Sequence, residues 1–160
     1  MEKYKYILLY TAILFFGLIN YKKYSHNLQL KLWLYFVVYS FFNEIGSRYV
    51  IETYNVRAMI LSNAWWSVNS FFYLFFFLSL IKNTKKKKYI IGMIVVFGIY
   101  LTISVLFFKD IRKDYFVDSW ILGQLFVIAS IMFYYSELLL SDSILNVKYS
   151  LFFWISIGSL

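Results

Sequence analysis

Long apolar runs alternate with short charged interruptions along this chain. A helix needs about 20 apolar residues to cross a bilayer, and in hydrocarbon a helix satisfies its own backbone hydrogen bonds. The pattern predicts five full transmembrane spans and the start of a sixth, at approximately residues 6–21, 28–46, 59–81, 89–108, 119–140 and 149–160. The predicted fold class is therefore all-α, a polytopic transmembrane helix bundle that forms a single domain over residues 1–160.

The sixth predicted span, residues 149–160, is too short to cross a membrane. Its twelve residues reach about 18 Å as a helix, whereas the hydrocarbon core is about 30 Å thick. We therefore expect a truncated seven-helix protein, with further chain after Leu160.

The composition supports a membrane protein and excludes several classes of site. With 62% hydrophobic residues, 24% aromatic residues and a mean hydropathy of +0.67, a water-soluble domain of this length would expose large apolar patches. The absence of Cys and the presence of one His exclude disulfides, iron–sulfur clusters and zinc sites built from thiolates or several imidazoles. We expect no metal and no cofactor.

Orientation follows from Lys and Arg, which accumulate on the cytoplasmic side of membrane proteins. The predicted loops place nine of these 16 residues on one side, including Lys82 and the tetralysine segment, Lys85, Lys86, Lys87 and Lys88. We expect loop 82–88 to be cytoplasmic, the N-terminus to lie outside, and the protein to reside in a bacterial inner membrane. The tetralysine segment is then expected to contact anionic lipid, with an attraction of about 1 kcal/mol per cation. We expect no binding to nucleic acid.

Polar residues inside apolar spans mark either contacts between helices or a cavity, because they are costly in hydrocarbon unless paired. Five such residues form the candidate polar cavity: Asn43, Glu44, Asn63, Asn69 and Gln124. For Glu44 and Asn63, a purely structural role stays open as an alternative to lining a cavity. Glu44 has Arg48 four residues later, on the same helix face, as a local ion-pair partner. Asn63 shares a face with Ser67 and Ser70, which would let helices pack closely.

Small residues also predict close helix contacts in two other spans. Ser119 and Gly123 form one small-xxx-small pair, and Gly98 and Thr102 form another.

The acidic residues at the predicted inner face are candidates for docking a cytoplasmic protein partner. Glu137 lies near the inner end of the fifth span and Asp142 follows in the loop. Glu44 lies at the opposite membrane face, so Glu44 and Glu137 cannot serve one substrate as acid and base. We therefore expect no enzymatic activity.

Several short segments are distinctive. They are Phe42-Asn43-Glu44, residues 134–139, residues 141–146 and residues 152–158. In these segments the chain resembles a group of uncharacterised multispanning membrane proteins of flavobacterial type. The resemblance implies a six- or seven-helix membrane protein and draws attention to Asn43, Glu44, Glu137 and Asp142, without assigning them a reaction or a ligand.

The leading interpretation is an integral inner-membrane protein that acts as a non-enzymatic sensor, receptor-like or scaffold module. The alternative is a transporter or pore component, or an accessory membrane effector, with a polar cavity lined by spans two and three. A passage open to both faces would favour the alternative, and a pocket open to one face would favour the sensor. Whether the bundle forms an oligomer is left open.

Overall fold

The computed structural model describes residues 5–24, 26–54, 57–108, 110 and 113–140, and every regular element in these ranges is helical. The helices are α1 (Lys5–Ile19), α2 (Tyr21–Tyr24), α3 (Leu28–Tyr54), α4 (Met59–Leu80), α5 (Thr84–Ile103) with a π-helical continuation (Ser104–Phe108), and α6 (Val117–Leu139). The predicted all-α class is confirmed for this part of the chain. The sixth predicted span, residues 149–160, lies outside the described residues.

Helix α3 is longer than the span predicted from its apolar residues. The predicted span ends at residue 46, whereas α3 continues to Tyr54. Gly46 does not end the helix, and a Cβ at that position would make only ordinary contact, 3.7 Å from Leu61. The ion pair between Glu44 and Arg48 joins successive turns across this point, as residues four apart on a helix do.

Helix α5 begins earlier than predicted, so the tetralysine segment lies in its first two turns and not in a loop. The side-chain oxygen of Asn83 accepts hydrogen bonds from the backbone N–H groups of Lys85 at 2.9 Å and Lys86 at 3.3 Å. This N-cap satisfies two donors that the start of a helix leaves without partners. The side chain of Asn27 caps α3 in the same way, accepting from Gln29 and Leu30.

Two of the described helices are long and apolar enough to cross a membrane. They are Thr84–Phe108, with 25 residues, and Val117–Leu139, with 23, and an 18-residue stretch within each has a mean hydropathy of 2.6 and 1.5, respectively. The apolar part of α1, Ile7–Ile19, is shorter. Charged residues in α3 and two Asn residues in α4 lower the hydropathy of those helices. The polytopic bundle of five spans therefore stays a prediction.

The chain divides into two compact units, and the single domain over residues 1–160 stays a prediction. One is formed by the described residues of Met1–Trp66 and Ile111–Tyr115, and the other by those of Ser67–Asp110 and Phe116–Leu160. In the first unit, α1 packs against α3, and Leu34 and Val37 of α3 are buried.

The second unit has a densely packed aromatic and aliphatic core. It is built from α4, α5 and α6, and its buried members are Leu74, Phe76, Phe77, Ile81, Ile90, Phe97, Val127, Ile131 and Tyr134.

Gly123 marks a close approach between these helices. A Cβ on Gly123 would lie 2.9 Å from the Cβ of Ser70 and 3.0 Å from a ring carbon of Phe97, closer than real side chains pack. Ser119 and Gly123 are both buried, so the close contact predicted from this pair is confirmed. At Gly98 an added Cβ would lie 3.8 Å from Phe71, an ordinary van der Waals contact.

Candidate functional site

A cleft of about 540 Å³ lies within the first unit, between α1, α3 and the first turns of α4. Helix α3 supplies most of its wall, from residues 40–52. Tyr10 of α1 and Ser62, Trp65 and Trp66 of α4 complete it. Its volume is typical of sites that bind small molecules.

One face of α3 forms the polar side of the cleft. Ser40, Glu44, Ser47, Arg48 and Glu52 all line it. Ser40, Glu44, Arg48 and Glu52 follow one another at four-residue spacing, and Ser47 comes three residues after Glu44, which places them along one stripe of a helix. Had the second span been extended to Tyr54, this stripe could have been found in the sequence.

Glu44 and Arg48 form the ion pair that the sequence offered as a structural alternative. The Nε and Nη2 atoms of Arg48 lie 2.8 and 2.7 Å from Oε1 of Glu44. Both side chains are partly buried. Because both contacts fall on Oε1, the second carboxylate oxygen, Oε2, accepts no hydrogen bond from any described protein group.

Two tryptophans form the aromatic side of the cleft. The indole N–H of Trp65 donates to Oγ of Ser40 at 3.3 Å, which ties α4 to α3. The ring of Trp66 packs against Tyr115, with ring centroids 5.7 Å apart. These contacts hold two large flat surfaces beside the polar stripe.

Three further polar side chains line the cleft without a hydrogen-bond partner among the described residues. They are Asn43, Ser47 and Ser62. An amide and two hydroxyls in this state offer both donors and acceptors to water or to a ligand. The cleft thus combines charge, hydrogen-bonding capacity and aromatic surface.

Of the five residues predicted for a polar cavity, the cleft brings together Asn43 and Glu44. Asn63 belongs to the same unit but does not line the cleft. It is only 2% exposed, and its side-chain amide donates to the backbone oxygen of Asp114 at 2.8 Å. Asn69 and Gln124 belong to the second unit and do not line the cleft either.

Glu137, a predicted docking residue, binds a loop of its own chain. Its Oε2 accepts from the backbone N–H of Lys82 and its Oε1 from that of Asn83, each at 2.9 Å. The carboxylate therefore anchors the loop that leads into α5. Nothing in the sequence pairs these residues, which are more than 50 positions apart. Asp142 lies outside the described residues, and docking through this face stays a prediction.

The tetralysine segment is partly engaged by the same end of α6. Nζ of Lys86 donates to Oγ of Ser136 at 2.6 Å and to the backbone oxygen of Phe133 at 3.4 Å. Lys85 and Lys88 are exposed. Cations at a helix N-terminus oppose the helix dipole, and the carboxylate of Glu137 beside this N-terminus offsets part of that repulsion. The contact with anionic lipid stays a prediction.

Comparison with known proteins does not identify this site. No family model matches the chain, and no curated protein or solved structure matches it. Among the residues that the structure describes, no group of three His, Cys, Asp or Glu side chains is placed to hold a metal ion.

Proposed function

We propose that this protein is an integral protein of a bacterial inner membrane that works as a receptor-like sensor, with the cleft as its ligand site. The observation that carries the proposal is the apolar surface of helices whose outward faces the protein does not cover. Only 17% of the apolar 18-residue stretch within Thr84–Phe108 is buried inside the protein, and 33% of the corresponding stretch within Val117–Leu139.

Helix α6 has such an uncovered apolar face. Its buried residues, among them Val127 and Ile131, follow one stripe. The opposite face carries exposed Ile121, Leu125 and Met132. A surface helix of a water-soluble protein presents polar residues on that face, so an apolar outward face is best explained by a surrounding lipid phase.

In this proposal α1, α3, α4, α5 and α6 each cross the bilayer. The N-terminus lies outside, and residues 82–88, which include the tetralysine segment, lie at the cytoplasmic surface, as the positive-inside rule favours. Helix α3 has 27 residues, which is about 40 Å and exceeds the hydrocarbon thickness of about 30 Å. Its last turns, with Arg48 and Glu52, therefore extend into the outer interface, where charged side chains are tolerated.

The same topology places the cleft on the outer side. Its lining occupies the second half of α3 and the first turns of α4, and both of these helix ends point outward in the proposed arrangement. A ligand would thus enter from outside, and the cytoplasmic loops would contact anionic lipid and a protein partner. This arrangement supports sensing across the membrane, without an enzymatic step.

The polar lining of the cleft also suits the transporter or pore component, which is the second candidate. A transporter needs a route onward to the cytoplasmic face, and among the residues that the structure describes the lining of this cleft ends at Ser40 on α3 and Trp66 on α4. The receptor is therefore preferred.

Cysteine labelling tests both parts of the proposal, because the natural chain contains no Cys. A single Ser47→Cys substitution places a thiol in the cleft. We expect a membrane-impermeant maleimide to label it in intact spheroplasts and not in sealed inside-out vesicles. Labelling from both sides would support the transporter, and release of the protein from membranes by alkaline carbonate would contradict integration. Ile91→Cys, on an exposed apolar face, is the control and should resist labelling from either side.

A further inference from the structure

We propose that the cleft binds a small organic ammonium compound, with its cationic nitrogen held between the carboxylate of Glu44 and the indole rings of Trp65 and Trp66. This inference rests on the proposed function, since it names the ligand class of the same site. It follows from the charge, the open acceptor and the aromatic wall of the cleft.

The charge of the lining favours a cation. The cleft contains two carboxylates, Glu44 and Glu52, against one guanidinium, Arg48, so its formal charge is negative. Arg48 is already paired with Glu44. An anionic ligand would have to displace that contact and then approach both carboxylates, whereas a cation leaves the ion pair in place.

The geometry of the ion pair leaves an acceptor for that cation. Arg48 contacts Oε1 of Glu44 through both Nε and Nη2. Oε2 keeps its hydrogen-bonding capacity, since no described protein group donates to it. An ammonium group carries donors, or in the quaternary case a diffuse positive charge, and either form complements a carboxylate oxygen.

The aromatic wall provides the second contact. Trp65 and Trp66 both line the cleft, and Trp is the side chain whose ring face attracts cations most strongly. Asn43, Ser47 and Ser62 then offer partners for a hydroxyl or other polar group on the same ligand. A purely apolar compound would leave these groups without hydrogen bonds.

Matched ligands test the charge requirement directly. The full chain in detergent is titrated with choline and with ethanolamine, following tryptophan fluorescence and calorimetry. The control ligand is 3,3-dimethylbutan-1-ol, which has the shape of choline without its charge. We expect at least one ammonium compound to bind about tenfold or more tightly than the neutral alcohol, and salt to weaken that binding.

Matched variants locate the binding in the cleft. Glu44→Gln should weaken ammonium binding about tenfold or more. Asp118→Asn, which removes one negative charge from the first turn of α6, should leave it unchanged. Should Glu44→Gln fail to fold, Ser47→Phe provides a second test because it fills the cleft, and it should abolish binding.

The failure of this inference is distinguishable from failure of the proposed function. Absence of binding by both ammonium compounds, or equal binding of the neutral alcohol, overturns the ligand class while outside-only labelling at Ser47→Cys still supports a receptor. Tighter binding of glycine betaine or of glucose than of choline would likewise overturn it, in favour of a zwitterion or a sugar. Binding in detergent does not depend on sidedness, so reversed labelling contradicts the topology alone.

Discussion

The two units of this chain use similar apolar helices in opposite ways. In the second unit, Leu74, Phe77 and Ile90 are completely buried, and α6 approaches so closely that Gly123 has no room for a side chain. In the first unit, α1, α3 and α4 leave a cleft of about 540 Å³ lined by polar side chains. The second unit is therefore closely packed, which favours stability, whereas the first unit has an open, hydrogen-bonding surface that is suited to a ligand.

The serine side chains of the two units show the same difference. In the second unit, the hydroxyls of Ser70 and Ser119 are buried and have no partner within the described residues. Their small size is what the close helix contact requires. In the first unit, Ser40 accepts from Trp65, while Ser47 and Ser62 line the cleft. The same residue type serves packing in one unit and polar lining in the other.

The largest expected loss of stability comes from a substitution that disrupts the close packing of the second unit. Gly123→Leu would drive a side chain into Ser70 and Phe97, and we expect a loss of about 3 kcal/mol of stability or failure to fold. Thermal unfolding in detergent measures it. Gly92→Leu is the matched control because an added Cβ there meets nothing within 4 Å. Equal losses for both variants would refute the packing argument.

The next effect concerns the loop before α5. Glu137→Ala removes the acceptor of two backbone N–H groups, and we expect a loss of about 2 kcal/mol. Hydrogen exchange at the amides of Lys82 and Asn83 should accelerate first, because their partner is gone. Lys88→Ala changes an exposed charge nearby and should leave these amides protected. Unchanged exchange in Glu137→Ala would mean that the carboxylate does not hold this loop.

A smaller effect is expected at the buried amide of the first unit. Asn63→Leu removes the hydrogen bond to the backbone oxygen of Asp114, and we expect a loss of about 1.5 kcal/mol. Asn69→Leu, at a position that is not fully buried, should cost less. Chemical denaturation in detergent compares the two. The opposite order would show that Asn63 does not tie residues 113–115 to α4.

The smallest effect on stability is expected in the cleft itself. Glu44→Gln weakens an ion pair between successive helix turns on a partly exposed face, which is worth about 0.5 kcal/mol or less. Thermal unfolding should therefore be nearly unchanged. A large loss of stability would place Glu44 in the structural framework and erase the contrast between the cleft and the packed unit.

The sequence was sufficient for features that arise within one helix and for one close contact between helices. The apolar runs predicted the helices, the four-residue spacing predicted the pair of Glu44 and Arg48, and small residues predicted the approach at Gly123. Helix ends were less accurate. Apolar composition marked residue 46 as the end of a span, but hydrogen bonding and the ion pair carry α3 to Tyr54.

Hydrogen bonds that join particular residues in distant parts of the chain could not be predicted. The bonds of Glu137 to Lys82 and Asn83, and of Asn63 to Asp114, link residues more than 50 positions apart. Their geometry depends on how helices pack, which periodicity does not encode. The lining of the cleft was predicted only in part for the same reason, because Trp65 and Trp66 lie beside the polar stripe of α3 only as a result of helix packing.

The membrane arrangement is tested most directly by labelling two single-cysteine variants in intact spheroplasts with a membrane-impermeant maleimide. Tyr54→Cys lies at the exposed end of α3, and Lys87→Cys lies within the tetralysine segment. We predict rapid labelling at position 54 and labelling at position 87 only after the membrane is permeabilised. Labelling of position 87 in intact spheroplasts, with position 54 protected, would contradict the account.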